Sequence, residues 1–117
     1  MNDLLSIWVE KIRGNNANQV TELYHDDGIL LGTFSDIERH GKKLIFNYFE
    51  NLLRSKIEVE IITRHEYKTD SIIVSSGFYN FKVDAKRIKA RFSFVFVKNK
   101  KSWKILSHHS SELPKVA

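Results

Sequence analysis

The first half of the chain carries apolar residues at the spacing of amphipathic helices. Asp3 is positioned as the N-cap of a first helix, which is predicted to end at Gly14. A short second helix is predicted from about Asn16 to Tyr24, a strand from Gly28 to Phe34, and a third helix over Lys42–Leu53. The inward positions of the first two helices are Leu4, Leu5, Trp8, Val9, Ile12, Val20, Leu23 and Tyr24. Those of the third follow one helical face: Leu44, Ile45, Tyr48, Phe49, Leu52 and Leu53.

After Ser55 the apolar positions alternate with a period of two, which is typical of strands. Strands are predicted near Ile57–Lys68, Ser71–Val83, Lys89–Val97 and Trp103–Ser111, with turn residues between them. Helices first and consecutive strands last indicate an α+β fold with an antiparallel meander rather than alternating βαβ units. Such a sheet covers its own apolar face by curving around the helices, which leaves a conical pocket.

The composition is that of one globular domain, predicted to span residues 1–117. Of the 117 residues, 42% are hydrophobic and 28% charged, with one Pro and no Cys. The absence of Cys excludes disulfides, thiolate metal ligands and Cys nucleophiles. No apolar run approaches the roughly 20 residues of a transmembrane helix. The first residues lack a signal-peptide pattern, so a cytoplasmic location is expected.

Basic residues are concentrated toward the C-terminal end. The net charge is +5, and nine Lys or Arg residues but one acid lie between Lys82 and Lys104. A nucleic-acid-binding face is one interpretation of this run. The favoured interpretation is that these side chains occupy turns and outward strand faces, where charge protects sheet edges. We therefore expect neither a nucleic-acid partner nor a membrane partner.

Alternation along the third long strand separates its residues between two faces. Phe92, Phe94 and Phe96 share one face, and Arg91 lies on the other. An arginine on a half-buried strand needs an acceptor, because an unpaired buried charge is costly. A carboxylate of the protein and a ligand anion are both open as that acceptor.

Two adjacent His residues occur in the last predicted strand. Regular alternation places His108 and Ser110 on one face, and His109 with Ile105 on the opposite face. The two imidazoles then diverge and cannot bind one metal ion from this strand, and no other metal-ligand spacing occurs elsewhere. A satisfied polar pair at a sheet end and a functional site are both open interpretations of His108 and Ser110.

His25-Asp26-Asp27-Gly28 combines an imidazole with two carboxylates, as metal sites and acid–base dyads also do. Two carboxylates before a Gly are more typical of a solvated turn, which is the interpretation adopted here. His40 and His65 are isolated along the chain and are expected at the surface or in turns.

The C-terminal segment resembles a known signature. Trp103-Lys104-Ile105 followed by His108-His109-Ser110-Ser111-Glu112-Leu113-Pro114 is similar to the ending of calcium/calmodulin-dependent protein kinase II association-domain-like proteins. These belong to the SnoaL-like, or nuclear transport factor 2-like, superfamily. Within that group the ending most resembles the iota-class carbonic anhydrases. The similarity covers almost the whole chain and includes residues 24–28, 30–35, 47–49, 77–81 and 89–95.

The resemblance implies a cone-shaped α+β barrel, with N-terminal helices packed in a curved antiparallel sheet. It implies self-association as a dimer or higher homo-oligomer, and a small-molecule or anion ligand. It also implies reversible hydration of carbon dioxide to bicarbonate without a metal or another cofactor. The implied catalytic residues are Thr33, Tyr48, His108 and Ser110, and the implied substrate-binding residues are Tyr79 and Arg91.

In that reaction His108, with an ordinary imidazole pKa of about 6.5, would take the proton from water. The hydroxyls of Ser110, Thr33 and Tyr48 would hydrogen-bond the developing carbonate oxygens, and Arg91 would supply positive potential. Two other classes stay open. One is a non-catalytic association domain or small-ligand-binding module. The other is an isomerase or dehydratase, which needs an inward-facing carboxylate base that the sequence does not place.

Overall fold

A computed structural model describes residues 3–116, and this part of the chain contains three helices and seven strands. In chain order they are α1 (Leu4–Arg13), α2 (Ala17–Thr21), β1 (Tyr24–Leu31), β2 (Arg39–His40), α3 (Lys42–Leu52), β3 (Ile57–Ile61), β4 (His65–Lys68), β5 (Ile72–Val83), β6 (Lys86–Asn99) and β7 (Ser102–Glu112). Helices pack against a curved, open sheet, which confirms the predicted α+β class.

The strands form one mixed sheet in the order β2-β1-β7-β6-β5-β3, and β4 also pairs with β5. The prediction of an all-antiparallel sheet is wrong at one position, because β1 runs parallel to β7, with Leu30 opposite His108. The reason is the connection: α3 and five strands separate β1 from β7, so no tight hairpin forces them to be antiparallel. This pairing brings the loop that follows β1 next to the C-terminal end of β7.

Helices α1 and α3 form as their apolar periodicity predicts. The Asp3 side chain accepts the Leu5 N–H at 3.1 Å, and Gly14 caps the C-terminal end of α1. Both helices bury the predicted apolar face against the sheet. The buried residues of these two helices are Leu5, Trp8, Ile12, Ile45, Tyr48 and Phe49.

The segment between α1 and β1 differs from the prediction. Helix α2 ends at Thr21, and Tyr24 belongs to β1 instead of to the helix. The turn predicted at residues 25–28 lies inside β1, where the pairing with β7 shifts between Tyr24 and Ile29. A hydrogen bond from the Ile105 N–H to the Leu23 carbonyl, at 2.8 Å, helps to join this segment to the sheet. Tertiary pairing therefore outweighs the local turn preference.

The strand predicted over residues 57–68 is two strands, β3 and β4, which pair with successive parts of β5. The chain leaves the ladder between them at residues 62–64. There the Thr63 carbonyl approaches Gly77 so closely that a Cβ at Gly77 would overlap it. The two-residue strand β2 is an additional element that the sequence pattern did not predict.

A β-bulge in β7 changes which of its side chains face inward. The register with β6 shifts at Leu106, which is an extra residue between Ile105 and Ser107. Ile105 and His108 consequently both face the core, although regular alternation predicted opposite faces. The shared inward face of His108 and Ser110 is as predicted, because both lie beyond the bulge.

The aromatic residues of β6 form the centre of the core. Phe92, Phe94 and Phe96 are buried and pack in series, with neighbouring ring centroids 5.5–5.6 Å apart. The curved sheet and α1 cover the three Phe rings, and Trp103 is half-buried.

The basic residues between Lys82 and Lys104 lie at strand ends and on the outer face of the sheet, as expected. Lys82 and Arg87 both approach the carboxylate of Glu60 at 3.7 Å. Pairs at this degree of exposure contribute little to stability. No helix within residues 3–116 combines the length and the apolar character needed to cross a membrane.

Candidate functional site

A continuous chain of hydrogen bonds crosses the interior of the fold. It begins at Trp8 on α1, whose indole Nε1–H donates to the Tyr24 hydroxyl at 3.1 Å. That hydroxyl lies 2.9 Å from His108 Nδ1. On the other side of the imidazole, His108 Nε2 lies 3.2 Å from the Tyr79 hydroxyl. Tyr79 in turn donates to Ser110 Oγ at 2.5 Å.

The chain of hydrogen bonds ends at the loop that follows β1. Ser110 Oγ lies 2.5 Å from Thr33 Oγ1. The Ser110 side chain is buried, whereas Thr33 is half-buried and lies at the wall of a surface cavity. The six residues are named the buried hydrogen-bond chain below: Trp8, Tyr24, His108, Tyr79, Ser110 and Thr33.

Two groups set the direction of the buried hydrogen-bond chain. The Trp8 indole nitrogen can only donate, and the Tyr79 O–H is donated to Ser110. The Tyr79 oxygen then accepts from His108 Nε2–H, which leaves Nδ1 of a neutral imidazole to accept from the Tyr24 O–H. At the outer end, either hydroxyl of the Ser110–Thr33 pair can be the donor.

His108 is neutral in the folded protein. Burial, and to a smaller extent the neighbouring His109, lower its pKa to about 3. The imidazole stacks on Phe94 with ring centroids 3.8 Å apart, and both of its nitrogens already have hydrogen-bond partners. In this arrangement neither nitrogen of His108 offers a free lone pair to an incoming water.

The phenols of the buried hydrogen-bond chain also keep their protons. Burial raises the pKa of Tyr24 well above its ordinary value and has the same effect on Tyr79, which the hydrogen bond to Ser110 only partly offsets. Protonated hydroxyls on both sides of a neutral imidazole make the chain a set of fixed dipoles rather than a set of charges.

Tyr48 lies beside the buried hydrogen-bond chain without joining it. Its hydroxyl accepts the Phe34 N–H at 3.4 Å, and burial raises its pKa to about 12. The ring packs against the backbone of Gly32, where a Cβ atom would come within 2.5 Å of it. Gly32 is thus the residue that lets the loop carrying Thr33 approach α3.

Arg91 lies away from the other predicted site residues. It points to the outer face of β6, is exposed, and its Nε–H donates to Ser111 Oγ at 3.4 Å. Phe92, next to it on the strand, faces the core. The expectation that Arg91 supplies positive potential to this site is wrong, because alternation along β6 directs it to solvent.

The cavity at the outer end of the chain has a volume of about 420 Å³. Thr33 and Ser110 line it together with three carboxylate residues, Asp36, Glu38 and Glu112. His109 also reaches it, and no Lys or Arg is among the lining residues within the described part of the chain. The cavity therefore combines hydroxyl groups at its inner wall with negative charge elsewhere on its lining.

Two members of the chain, Trp8 and Tyr24, were assigned from the sequence only to the apolar faces of helices. Their polar atoms were the available signal, because a buried indole N–H or phenol O–H needs a partner. Among residues 3–116 no group of three His, Asp or Glu side chains is arranged to hold a metal ion.

A polar chain through the core of an open α+β cone places this protein among nuclear transport factor 2-like folds. A SnoaL-like domain model matches residues 1–115, so the chain belongs to the SnoaL-like domain family. No match was found among curated proteins.

Solved structures agree with this family. A candidate calcium/calmodulin dependent protein kinase II association domain from Xanthomonas campestris is 34% identical, with a TM-score of 0.92 over 97% of this chain and 85% of that one. Two others share the fold alone. A nuclear transport factor 2-like protein from Pseudomonas putida is 12% identical, with a TM-score of 0.82 over 92% and 80% of the two chains. A candidate ketosteroid isomerase from Parabacteroides distasonis is 19% identical, with a TM-score of 0.81 over 93% and 84%.

Proposed function

We propose that this protein binds a small compound through an oxygen that accepts a hydrogen bond from Thr33. The observation that carries the proposal is the direction of the buried hydrogen-bond chain. Trp8 donates to Tyr24 and Tyr79 donates to Ser110; with Ser110 as the donor to Thr33, every link points outward and the Thr33 O–H is available to the cavity. Dipoles aligned along the chain strengthen that last donor.

The charges around the cavity narrow the ligand class. Asp36, Glu38 and Glu112 repel an anion, whereas they leave a neutral carbonyl compound unaffected. An uncharged carbonyl or amide group of a few heavy atoms suits both the hydroxyl donor and the acidic lining. We therefore assign a small uncharged carbonyl compound as the preferred ligand class, ahead of a free anion.

The binding proposal predicts a specific effect of Thr33→Val, which keeps the shape of the side chain and removes its hydroxyl. The probe is acetamide, titrated into ¹⁵N-labelled protein and followed by amide chemical shifts. We expect shifts at the cavity residues in the parent protein and an affinity about three- to tenfold lower in the variant, as for one lost hydrogen bond.

The control for this titration is Ser93→Ala, because Ser93 lies on the outer face of β6, where its hydroxyl bonds Ser76. Its affinity for acetamide should equal that of the parent protein. Equal affinities in Thr33→Val and the parent would contradict the proposal, as would tighter binding of acetate than of acetamide.

Metal-free hydration of carbon dioxide is a second candidate, favoured by one observation. Four of the residues that the resemblance implies, Thr33, Tyr79, His108 and Ser110, are joined by hydrogen bonds, and Tyr48 packs beside them. Carbon dioxide is uncharged, so the acidic lining does not repel it.

In this reaction a group other than His108 would accept the proton. His108 has no free lone pair, so the proton of the attacking water would pass to His109 or to a carboxylate of the cavity. The Thr33 O–H would then stabilise the forming carbonate oxygen, as an oxyanion donor does, while Ser110 holds Thr33 in place.

Hydration is measured by stopped flow on protein treated with a chelator. If the second candidate is right, the protein accelerates hydration, and Thr33→Val lowers turnover by about 10²-fold, as for the loss of one oxyanion donor. Ser93→Ala should leave the rate unchanged. A hydration rate equal to that of buffer alone would contradict carbonic anhydrase activity. It would not affect the proposal that Thr33 binds a small carbonyl compound.

We also propose that the chain self-associates through the outer face of its sheet. Cross-strand pairing places Ile29, Ser107, Val95, Val74 and Tyr67 in one row across five strands. Four of these five side chains are apolar or aromatic, and none is fully buried. A continuous row of this kind is typical of a contact surface.

The self-association proposal predicts a dimer or larger homo-oligomer by light scattering at tens of micromolar protein. Val95→Lys places a charge at the centre of the row and should shift the protein toward monomer without altering the core. Gln19→Lys, at an exposed position of α2 on the helical side of the sheet, is the matched charge control. A monomeric parent protein would contradict the proposal.

A further inference from the structure

A second cavity, of about 230 Å³, adjoins the same loop from the side of α3. Its walls come from the loop after β1, from β2 and from α3. They are formed by Phe34, Ser35, Arg39, Tyr48, Asn51 and Leu52. Of these residues, only Ser35 also lines the cavity at Thr33. This second cavity is named the Arg39 cavity.

Arg39 is held in place by neutral groups. Its guanidinium carbon lies 5.9 Å from the centre of the Tyr48 ring. Nη2 donates to Ser35 Oγ at 3.2 Å, and Nη1 donates to the Leu44 carbonyl at 3.5 Å. Within residues 3–116 no carboxylate lies within 4.0 Å of the Arg39 guanidinium. By contrast, the half-buried Arg64 contacts both Asp3 and Glu66.

One donor of Arg39 is buried and unused. Arg39 Nε is inaccessible to solvent and has no hydrogen-bond partner in the described part of the chain. A buried N–H of a charged group without an acceptor is destabilising, and native proteins rarely keep one without a reason. The positive charge beside it is likewise not neutralised by any carboxylate of the described residues.

Other donors converge on the same cavity. The Tyr48 hydroxyl accepts from Phe34 N–H, and no acceptor for its own hydrogen is present among residues 3–116. The Asn51 amide lies at the exposed end of the cavity and is likewise available. The Phe34 ring, which is 40% exposed, and Leu52 supply an apolar wall.

We propose that the Arg39 cavity binds a small monocarboxylate that carries a compact apolar group. The Arg39 side chain turns on binding so that Nε–H and the adjacent Nη2 both donate to the carboxylate, in the paired geometry that arginine favours. The apolar group packs against Phe34 and Leu52. The volume is below the 300–1,000 Å³ of typical ligand pockets, which limits the ligand to about the size of a single ring.

This binding site is independent of the function proposed above. It uses Arg39 and α3, whereas the proposed carbonyl site uses Thr33 and the buried hydrogen-bond chain. The two sites also select opposite ligands, because the cavity at Thr33 is lined by carboxylates and the Arg39 cavity contains an unpaired guanidinium. Thr33→Val should therefore leave carboxylate binding unchanged.

The test titrates benzoate, and separately the isosteric neutral benzamide, into ¹⁵N-labelled protein at constant ionic strength. We expect benzoate to shift the amides of Phe34 and Asn51, and benzamide to bind about tenfold more weakly or worse, as for the loss of a charged hydrogen bond. Equal affinity for the two compounds would overturn the proposal. Benzoate shifts that avoid these residues would overturn it too.

Two variants distinguish the effect of the guanidinium hydrogen bonds on benzoate affinity from the effect of net charge. Arg39→Gln should reduce benzoate affinity by about tenfold or more, and Arg39→Lys, which keeps the charge but loses the Nε–H, should also reduce it. Arg91→Gln removes one positive charge on the outer face of the sheet and should bind benzoate as the parent does. Unchanged binding in folded Arg39→Gln would overturn the proposal. If Arg39→Gln does not fold, Arg39→Lys and the benzamide comparison decide it.

Discussion

Lowering the pH from 7 to 4 is expected to reduce the free energy of unfolding by about 3 kcal/mol through His108 alone. Burial and the nearby His109 lower its pKa in the folded protein from 6.5 to about 3. Below pH 6.5 the imidazole of His108 therefore binds a proton in the unfolded chain but not in the folded chain. Stability due to this group is complete above pH 6.5 and is lost as the pH falls toward 3.

This prediction is checked by urea unfolding at a series of pH values. His108→Gln removes the titrating group, so its stability should fall less steeply than that of the parent between pH 7 and pH 4. His65→Gln is the matched control, because His65 is exposed on β4. If the free energy of unfolding depends on pH equally in the parent and in His108→Gln, burial of neutral His108 does not contribute to acid sensitivity.

Tyr24→Phe is expected to lower the free energy of unfolding by about 2–6 kcal/mol. The Tyr24 hydroxyl accepts from Trp8 and donates to His108 Nδ1, and all three side chains are buried. Removing it leaves one donor and one acceptor without partners, each at a cost of about 1–3 kcal/mol. The ring itself is kept, so packing against Phe49 should persist.

The matched control for Tyr24→Phe is Tyr67→Phe, since Tyr67 is 76% exposed. That variant should be as stable as the parent within about 0.5 kcal/mol. Denaturant unfolding of the three proteins at pH 7 decides the matter. A loss below about 0.5 kcal/mol in Tyr24→Phe would mean that water or another group replaces the hydroxyl, which contradicts the chain described above.

Much of the fold could be predicted because single elements carry strong local patterns. Helices α1 and α3 bury the faces that their periodicity predicts, and Phe92, Phe94 and Phe96 share one face of β6 as alternation predicts. The start of β1, the split between β3 and β4, and the bulge at Leu106 depend on contacts with distant strands. No local pattern contains that information.

The residues of the candidate site could be predicted only in part from the sequence. The structure brings Thr33, Tyr79, His108 and Ser110 together through hydrogen bonds that join the loop after β1 to β5 and β7. The sequence could not show that His108 uses both nitrogens inside the core. Nor could it show that Arg91 faces solvent, because alternation separates two faces without saying which one is covered.

The most direct test of this account is the protonation state of His108, measured by ¹⁵N NMR of its imidazole from pH 8 to pH 4. The buried hydrogen-bond chain requires a neutral ring with its proton on Nε2, unchanged over the whole range in which the protein stays folded. A His108 that titrates near pH 6.5, or carries its proton on Nδ1, would contradict the outward direction of the chain and with it the donor role of Thr33.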